Sequence, residues 1–139
     1  MIDEGAVAIS GQRILAVGPS AELRSYRSEA GRVIDCAGKV LMPGLTDGHT
    51  HLFQILGRGL GDGLSLVPWL QEFMFPYSKA MTSEMAVAGA RLGALQAVLS
   101  GTTTVVDNHY APTDTATTLA IAGAIEEVGI RGAVARGVF

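Results

Sequence analysis

Several features that mark special classes of protein are scarce in this chain of 139 residues. The one cysteine, Cys36, excludes an intrachain disulfide and favours a reducing compartment. Charged residues make up only 17% and the net charge is −3, so neither nucleic acid nor an anionic membrane is an expected partner. No apolar run approaches a membrane span, and the polar, acidic start does not resemble a signal peptide. We therefore expect a cytoplasmic protein.

The first part of the chain, residues 1–44, is typical of short strands joined by turns. Gly11-Gln12 separates two apolar runs and predicts a two-residue hairpin turn. Ser20 is placed to cap a helical turn that follows the hairpin. The predicted strands of this small β unit are Gly5–Ser10, Arg13–Gly18, Arg32–Cys36 and Lys39–Met42.

From residue 45 onward the pattern alternates between strands and helices. A glycine-rich loop over 53–67 and a short helix over Val67–Phe75 follow the first strand. Thr82 or Ser83 caps a helix with an apolar stripe, and Thr113 or Asp114 caps the next one. The stripe of the former helix is Ala88, Leu92, Leu95 and Leu99. The predicted strands are Leu45–Leu52, Thr102–Asp107 and a third that begins at Arg131, and this alternation favours parallel βαβ units.

The sharpest signal for function is the pair His49 and His51 at the end of the first of these strands. Residues two apart in a strand point to the same side, so the two imidazoles are presented together. The carboxyl ends of strands in parallel α/β folds are where sites are built. We predict that the pair ligates a metal ion. Because catalytic zinc needs at least three protein ligands, the pair cannot complete such a site alone.

Other polar residues near the pair have more than one interpretation. Asp47 either orients a ligand histidine or is an ordinary aspartate at a strand end. His109, after the second strand, is a substrate contact, a third ligand or an exposed loop histidine, and we favour the first. Gln54 is predicted to contact substrate. Trp69 is either a stacking platform for substrate or a core anchor.

Taken together, these motifs resemble the amidohydrolase superfamily, in its triazine hydrolase and aminohydrolase branch. The resemblance rests on Pro43-Gly44-Leu45-Thr46-Asp47-Gly48-His49-Thr50-His51, on the β segment before it and on Gly101-Thr102-Thr103-Thr104-Val105-Val106-Asp107. It implies an α/β chain in which residues 1–44 are part of a small β-sandwich. Residues 45–139 would be the first two βα units and third strand of an incomplete (β/α)8 barrel. The alternative is a complete three-strand domain.

The same resemblance implies the chemistry. His49 and His51 match the family's first-strand ligands of a divalent metal, zinc or alternatively iron, and the remaining ligands and acid/base group come from later strands. The full-length protein would be a hydrolase of non-peptide C–N bonds that deaminates or dechlorinates a nitrogen heterocycle through a metal-bound hydroxide. Ser78 stands near the position of a ribose-binding glutamate in nucleoside deaminases, which favours a free heterocycle.

Two alternatives to an enzyme that functions through the histidine pair stay open. One is a non-catalytic scaffold that keeps the fold without the chemistry. The other is a fragment that assembles with a partner chain and is inactive alone. We also expect a homo-oligomer, with a small heterocyclic molecule as the ligand.

Overall fold

The computed structural model describes residues 1–111 and 113–137, which fall into two units, Met1–Met42 and Pro43–Phe139. The first unit holds a two-stranded antiparallel sheet, and the second holds a three-stranded parallel sheet with helices. The assignment of the two parts to a β-sandwich and to a barrel stays a prediction.

The first unit is built on the predicted hairpin. Strand β1 (Gly5–Ser10) pairs antiparallel with β2 (Arg13–Pro19). Gly11 has a φ of 55°, a left-handed conformation that glycine adopts without a steric penalty, so the tight turn is confirmed. The register shifts between Ala8 and Ile9, which is a local bulge in the ladder.

Two other predictions for this unit are wrong. Ser20 does not cap a helix: its hydroxyl donates to the carbonyl of Glu4, and the helix α1 (Arg24–Glu29) begins later. The segments 32–36 and 39–42 are not strands, because within the described ranges neither has a neighbouring strand to pair with. Their β-branched residues favour extended backbone, but a strand needs the hydrogen bonds of a ladder.

The second unit confirms the predicted alternation and the parallel sheet, whose strand order is β3-β4-β5. The first strand is followed by a 3₁₀ helix where a loop was predicted, and then by three continuous helical segments, the middle one π-helical. The elements are β3 (Leu45–Thr50), the 3₁₀ helix (Leu52–Gly57), α2 (Leu66–Pro68), the π-helix (Trp69–Met74), α3 (Phe75–Ala80), α4 (Ser83–Leu99), β4 (Thr102–His109), α5 (Thr115–Val128) and β5 (Arg131–Arg136).

The two long helices begin where the sequence predicts. The hydroxyl of Thr82 accepts a hydrogen bond from the backbone N–H of Met85, and the carboxylate of Asp114 accepts one from that of Thr117. Each cap satisfies a backbone donor that the helix itself cannot pair. Across the described ranges, no helix combines the length and apolarity that crossing a membrane requires.

The buried face of α4 differs from the predicted apolar stripe. Leu95 and Leu99 are 46% and 87% exposed, whereas the residues turned to the core are small: Ala86, Gly89, Ala90, Gly93 and Ala94. Small residues are needed on this face because the 3₁₀ helix packs closely against α4. A Cβ added at Gly89 would lie 3.1 Å from the backbone of Phe53. This close packing fixes the chain immediately after the histidine pair.

Candidate functional site

The two predicted metal ligands converge. His49 lies in β3 and His51 one residue beyond its end, and their Nε2 atoms are 3.3 Å apart. The rings meet nearly perpendicular, with an interplanar angle of 85°. Two nitrogens bound to one tetrahedral zinc at about 2.0–2.1 Å would be separated by about 3.3 Å. The pair therefore fits two positions in the coordination shell of such an ion.

Asn108, near the end of β4, and Tyr110, just after that strand, contact the two rings. The Nδ1 atom of His51 donates to the backbone carbonyl of Asn108 over 2.7 Å, and the side-chain nitrogen of Asn108 lies 3.2 Å from Nδ1 of His49. Tyr110 packs edge-on against His51 with ring centroids 4.9 Å apart. Neither Asn108 nor Tyr110 stands in a motif typical of a site. The signal in the sequence is their position at, and just beyond, the carboxyl end of the strand paired with β3.

The side chain of Asp47 contacts the backbone of His49 and not its imidazole ring. Its carboxylate accepts a hydrogen bond of 3.1 Å from the backbone N–H of His49. It thus fixes the course of the strand at His49. The ring of His49 is oriented by Asn108 instead.

A buried carboxylate secures the chain after His51. Asp107 has no exposed surface, and one of its oxygens accepts a 2.8 Å hydrogen bond from the backbone N–H of Leu52. Burial raises the pKa of this carboxyl, while the bond from Leu52 and the nearby His51 oppose that shift. In the part of the chain that the structure describes, the other oxygen has no hydrogen-bond partner. Asp107 therefore links β4 to the start of the 3₁₀ helix.

Gln54 is the predicted substrate contact that the structure places beside the pair. A cavity of about 670 Å³ is lined by both histidines, Asp47 and Gln54, together with residues of α4. The Gln54 amide donates to the hydroxyl of Tyr110. Burial raises the pKa of Tyr110, so its phenol remains protonated at neutral pH.

The other two predicted contacts lie elsewhere among the described residues, since neither Trp69 nor His109 lines this cavity. Trp69 packs against Phe73 and the core. His109 follows Asn108 in β4 and so faces the opposite side of the sheet. It has no exposed surface, its Nε2 is 2.8 Å from the hydroxyl of Thr113, and burial lowers its pKa. Substrate contact by these two residues stays a prediction.

Over residues 1–111 and 113–137, no group of three or more histidine, cysteine, aspartate or glutamate side chains is arranged to hold a metal ion. Two imidazoles are fewer than the three protein ligands of a catalytic zinc.

Comparison with known proteins agrees with this geometry. The model of the "Amidohydrolase family" matches residues 40–139, and that of an "Imidazolonepropionase-like composite domain, bacteria" matches residues 5–25. The chain is 38% identical to the 5′-deoxyadenosine deaminase of Methanobrevibacter smithii over 134 residues, which is 96% of this chain and 28% of that protein.

Two solved structures resemble the fold. Zinc-complexed atrazine chlorohydrolase TrzN of Arthrobacter aurescens is 29% identical with a TM-score of 0.80, covering 94% of this chain and 30% of that one. An adenosine deaminase of Xanthomonas campestris with bound zinc is 27% identical with a TM-score of 0.73, covering 94% and 28%. The chain thus spans less than a third of the length of the proteins it matches.

The first family match includes both histidines and the whole parallel sheet, and it extends over well more than half of the chain. The resemblance predicted from the sequence motifs is therefore confirmed. The chain belongs to the amidohydrolase family.

Proposed function

We propose that this chain supplies two metal ligands, His49 and His51, to a hydrolase that acts on non-peptide C–N bonds. The observation that carries the proposal is the 3.3 Å separation of the two Nε2 atoms, with both Nδ1 atoms held from behind by Asn108. A bound divalent cation, zinc or alternatively iron, lowers the pKa of water to about 7 and so supplies hydroxide at neutral pH.

The proposed architecture is the N-terminal part of a (β/α)8 barrel preceded by part of a small β-sandwich. Supporting it are the parallel order β3-β4-β5 and the position of the histidines at the carboxyl end of β3. In barrels of this kind the site is built at that end of the strands. The remaining ligands and the acid/base group then belong to residues other than those described.

The residues of this chain would have distinct tasks in the reaction. The two histidines hold the cation, and Asp47 fixes the backbone beneath them. Gln54 lines the cavity and is the best-placed contact for a ring nitrogen or oxygen of substrate. Buried Asp107 keeps the chain after His51 in position.

The proposed substrate is a small nitrogen heterocycle. The relatives described above are named for 5′-deoxyadenosine, adenosine and atrazine, which have such a ring in common. The sequence argument for a free heterocycle rests on Ser78, which is only 6% exposed and whose hydroxyl is buried. Loss of ammonia from an amino-substituted ring and loss of chloride from a chlorinated one are the two reactions to distinguish.

The test is a substrate panel on the full-length protein with its metal. Nucleosides, free purine and pyrimidine bases and chlorinated or aminated triazines are incubated with enzyme, and released ammonia and chloride are measured. We expect turnover of one class and its loss in His51→Ala. No release from any class by metal-loaded protein would favour the non-catalytic scaffold.

Cytoplasmic location and a homo-oligomeric state are also proposed. Size-exclusion chromatography with light scattering tests the second, and a monomer at all concentrations would contradict it. The same measurement on the 139-residue chain tests the alternative in which it assembles with a partner chain.

A further inference from the structure

One residue, Asn108, contacts the Nδ1 atom of both histidines. Its backbone carbonyl accepts from His51, and its side-chain nitrogen lies 3.2 Å from His49. The two contacts differ in chemistry, because a carbonyl oxygen only accepts a hydrogen bond whereas an amide side chain can present either a donor or an acceptor.

The contact with the carbonyl fixes the tautomer of His51. Nδ1 must carry the proton in order to donate, so Nε2 of the neutral ring has a free lone pair. With the side-chain nitrogen of Asn108 as the donor to Nδ1 of His49, the proton of a neutral His49 ring lies on Nε2. The Nε2–H of His49 then donates to Nε2 of His51 across the 3.3 Å between them. In this state the two histidines are hydrogen-bonded to each other through their Nε2 atoms.

A cation needs a free lone pair on both Nε2 atoms, so His49 must move its proton to Nδ1. Rotation of the Asn108 amide by half a turn about its Cβ–Cγ bond places the oxygen where the nitrogen was. That oxygen then accepts from Nδ1–H of His49. Among the described residues, the rotation gives up a long contact of 3.4 Å from the amide nitrogen to the carbonyl of Val106.

We propose that Asn108 is a positioning residue for the pair, with a carbonyl that fixes the His51 tautomer and an amide that switches the His49 tautomer when a cation binds. The proposal rests on the function proposed above, in which the pair binds a divalent cation. It assigns the two roles to one residue because β3 and β4 pair with Thr50 opposite Asp107, which brings Asn108 beside His51.

Two variants separate the side-chain role from a general structural one. Asn108→Leu keeps the size and removes both donor and acceptor, while Asn108→Asp keeps the size and leaves only acceptors. Both retain the backbone carbonyl that holds His51. Gln96→Leu is a matched control, because it also removes a side-chain amide from the lining of this cavity. The amide oxygen of Gln96 accepts a hydrogen bond from Arg58 and not from either histidine.

The first readout is the histidine tautomer in metal-free, full-length protein labelled with ¹⁵N-histidine, measured by NMR at about pH 8. We expect Nε2–H for His49 and Nδ1–H for His51 in the wild type. Asn108→Asp should convert His49 to Nδ1–H, because a carboxylate cannot donate. An unchanged His49 tautomer in Asn108→Asp would overturn the proposal.

The second readout is the dissociation constant for zinc alone, measured by competition with a chromophoric chelator. Losing a partner that orients a ligand histidine typically costs 10- to 100-fold in metal affinity, so Asn108→Leu should raise Kd by about that factor. Asn108→Asp should bind at least as tightly as the wild type, and Gln96→Leu should equal it.

The outcomes separate this inference from the proposed function. If the wild type binds zinc and Asn108→Leu binds it equally well, the inference is wrong and the metal site stands. If the wild type does not bind zinc, the proposed function is wrong and the switch has no cation to serve. The Asn108→Asp result protects against misfolding as an explanation, since a variant that gains the predicted tautomer and retains zinc affinity is folded.

Discussion

The close contact between α4 and the 3₁₀ helix allows us to predict how a substitution at Gly89 changes the free energy of unfolding. A Cβ at this position would lie 3.1 Å from both the Cα and the carbonyl oxygen of Phe53. These are backbone atoms, so they cannot move aside as the end of a flexible side chain can. Alanine should gain about 1 kcal/mol from helix propensity and lose about 1–3 kcal/mol through overpacking. We expect Gly89→Ala to lower the free energy of unfolding by about 0–2 kcal/mol.

Gly123 in α5 provides the matched control, because nothing lies within 4 Å of a Cβ added there. Gly123→Ala should stabilise the protein by about 1 kcal/mol, the propensity gain alone. Subtracting the two results cancels that gain and leaves the steric cost. The assay is urea denaturation followed by far-ultraviolet circular dichroism. If Gly89→Ala stabilises as much as Gly123→Ala, the close packing after the histidine pair is refuted.

Two further predictions concern the core and pH. Phe53 has no exposed surface. Phe53→Ala should therefore lower the free energy of unfolding by about 3–5 kcal/mol, and Phe53→Leu should lower it by much less. Urea denaturation measures both variants, and similar losses in the two would contradict this prediction. Hydrogen bonds from the hydroxyl and the backbone N–H of Thr117 lower the pKa of Asp114 in the folded protein. The ionised carboxylate therefore stabilises the folded state at pH values above the ordinary aspartate pKa of about 3.9. That stabilisation is lost as the pH falls through the lower pKa of the folded state. Asp114→Asn should flatten the dependence of the urea midpoint on acid pH, and an unchanged slope would contradict the assignment.

Features set by neighbouring residues could be predicted from the sequence. The Gly11-Gln12 turn and the caps at Thr82 and Asp114 depend on a few adjacent positions, and all three are confirmed. The parallel alternation follows from the order of apolar segments. The convergence of His49 and His51 follows from strand geometry.

Features set by distant partners could not be predicted. The role of Asn108 depends on the register between β3 and β4, which joins residues 59 positions apart. The small-residue face of α4 depends on how closely the 3₁₀ helix packs against it. The spacing of apolar residues along α4 does not predict that distance. Segments 32–36 and 39–42 have strand-like composition, but composition does not supply a pairing partner.

The most direct test of the metal site is the metal content of the full-length protein, purified without chelators and measured by inductively coupled plasma mass spectrometry. The wild type is compared with the double variant His49→Ala/His51→Ala, and circular dichroism checks that both are folded. We predict a stoichiometric divalent ion in the wild type and its loss in the double variant. A wild type without such an ion, or a double variant that holds as much, would contradict the assignment of the pair as metal ligands.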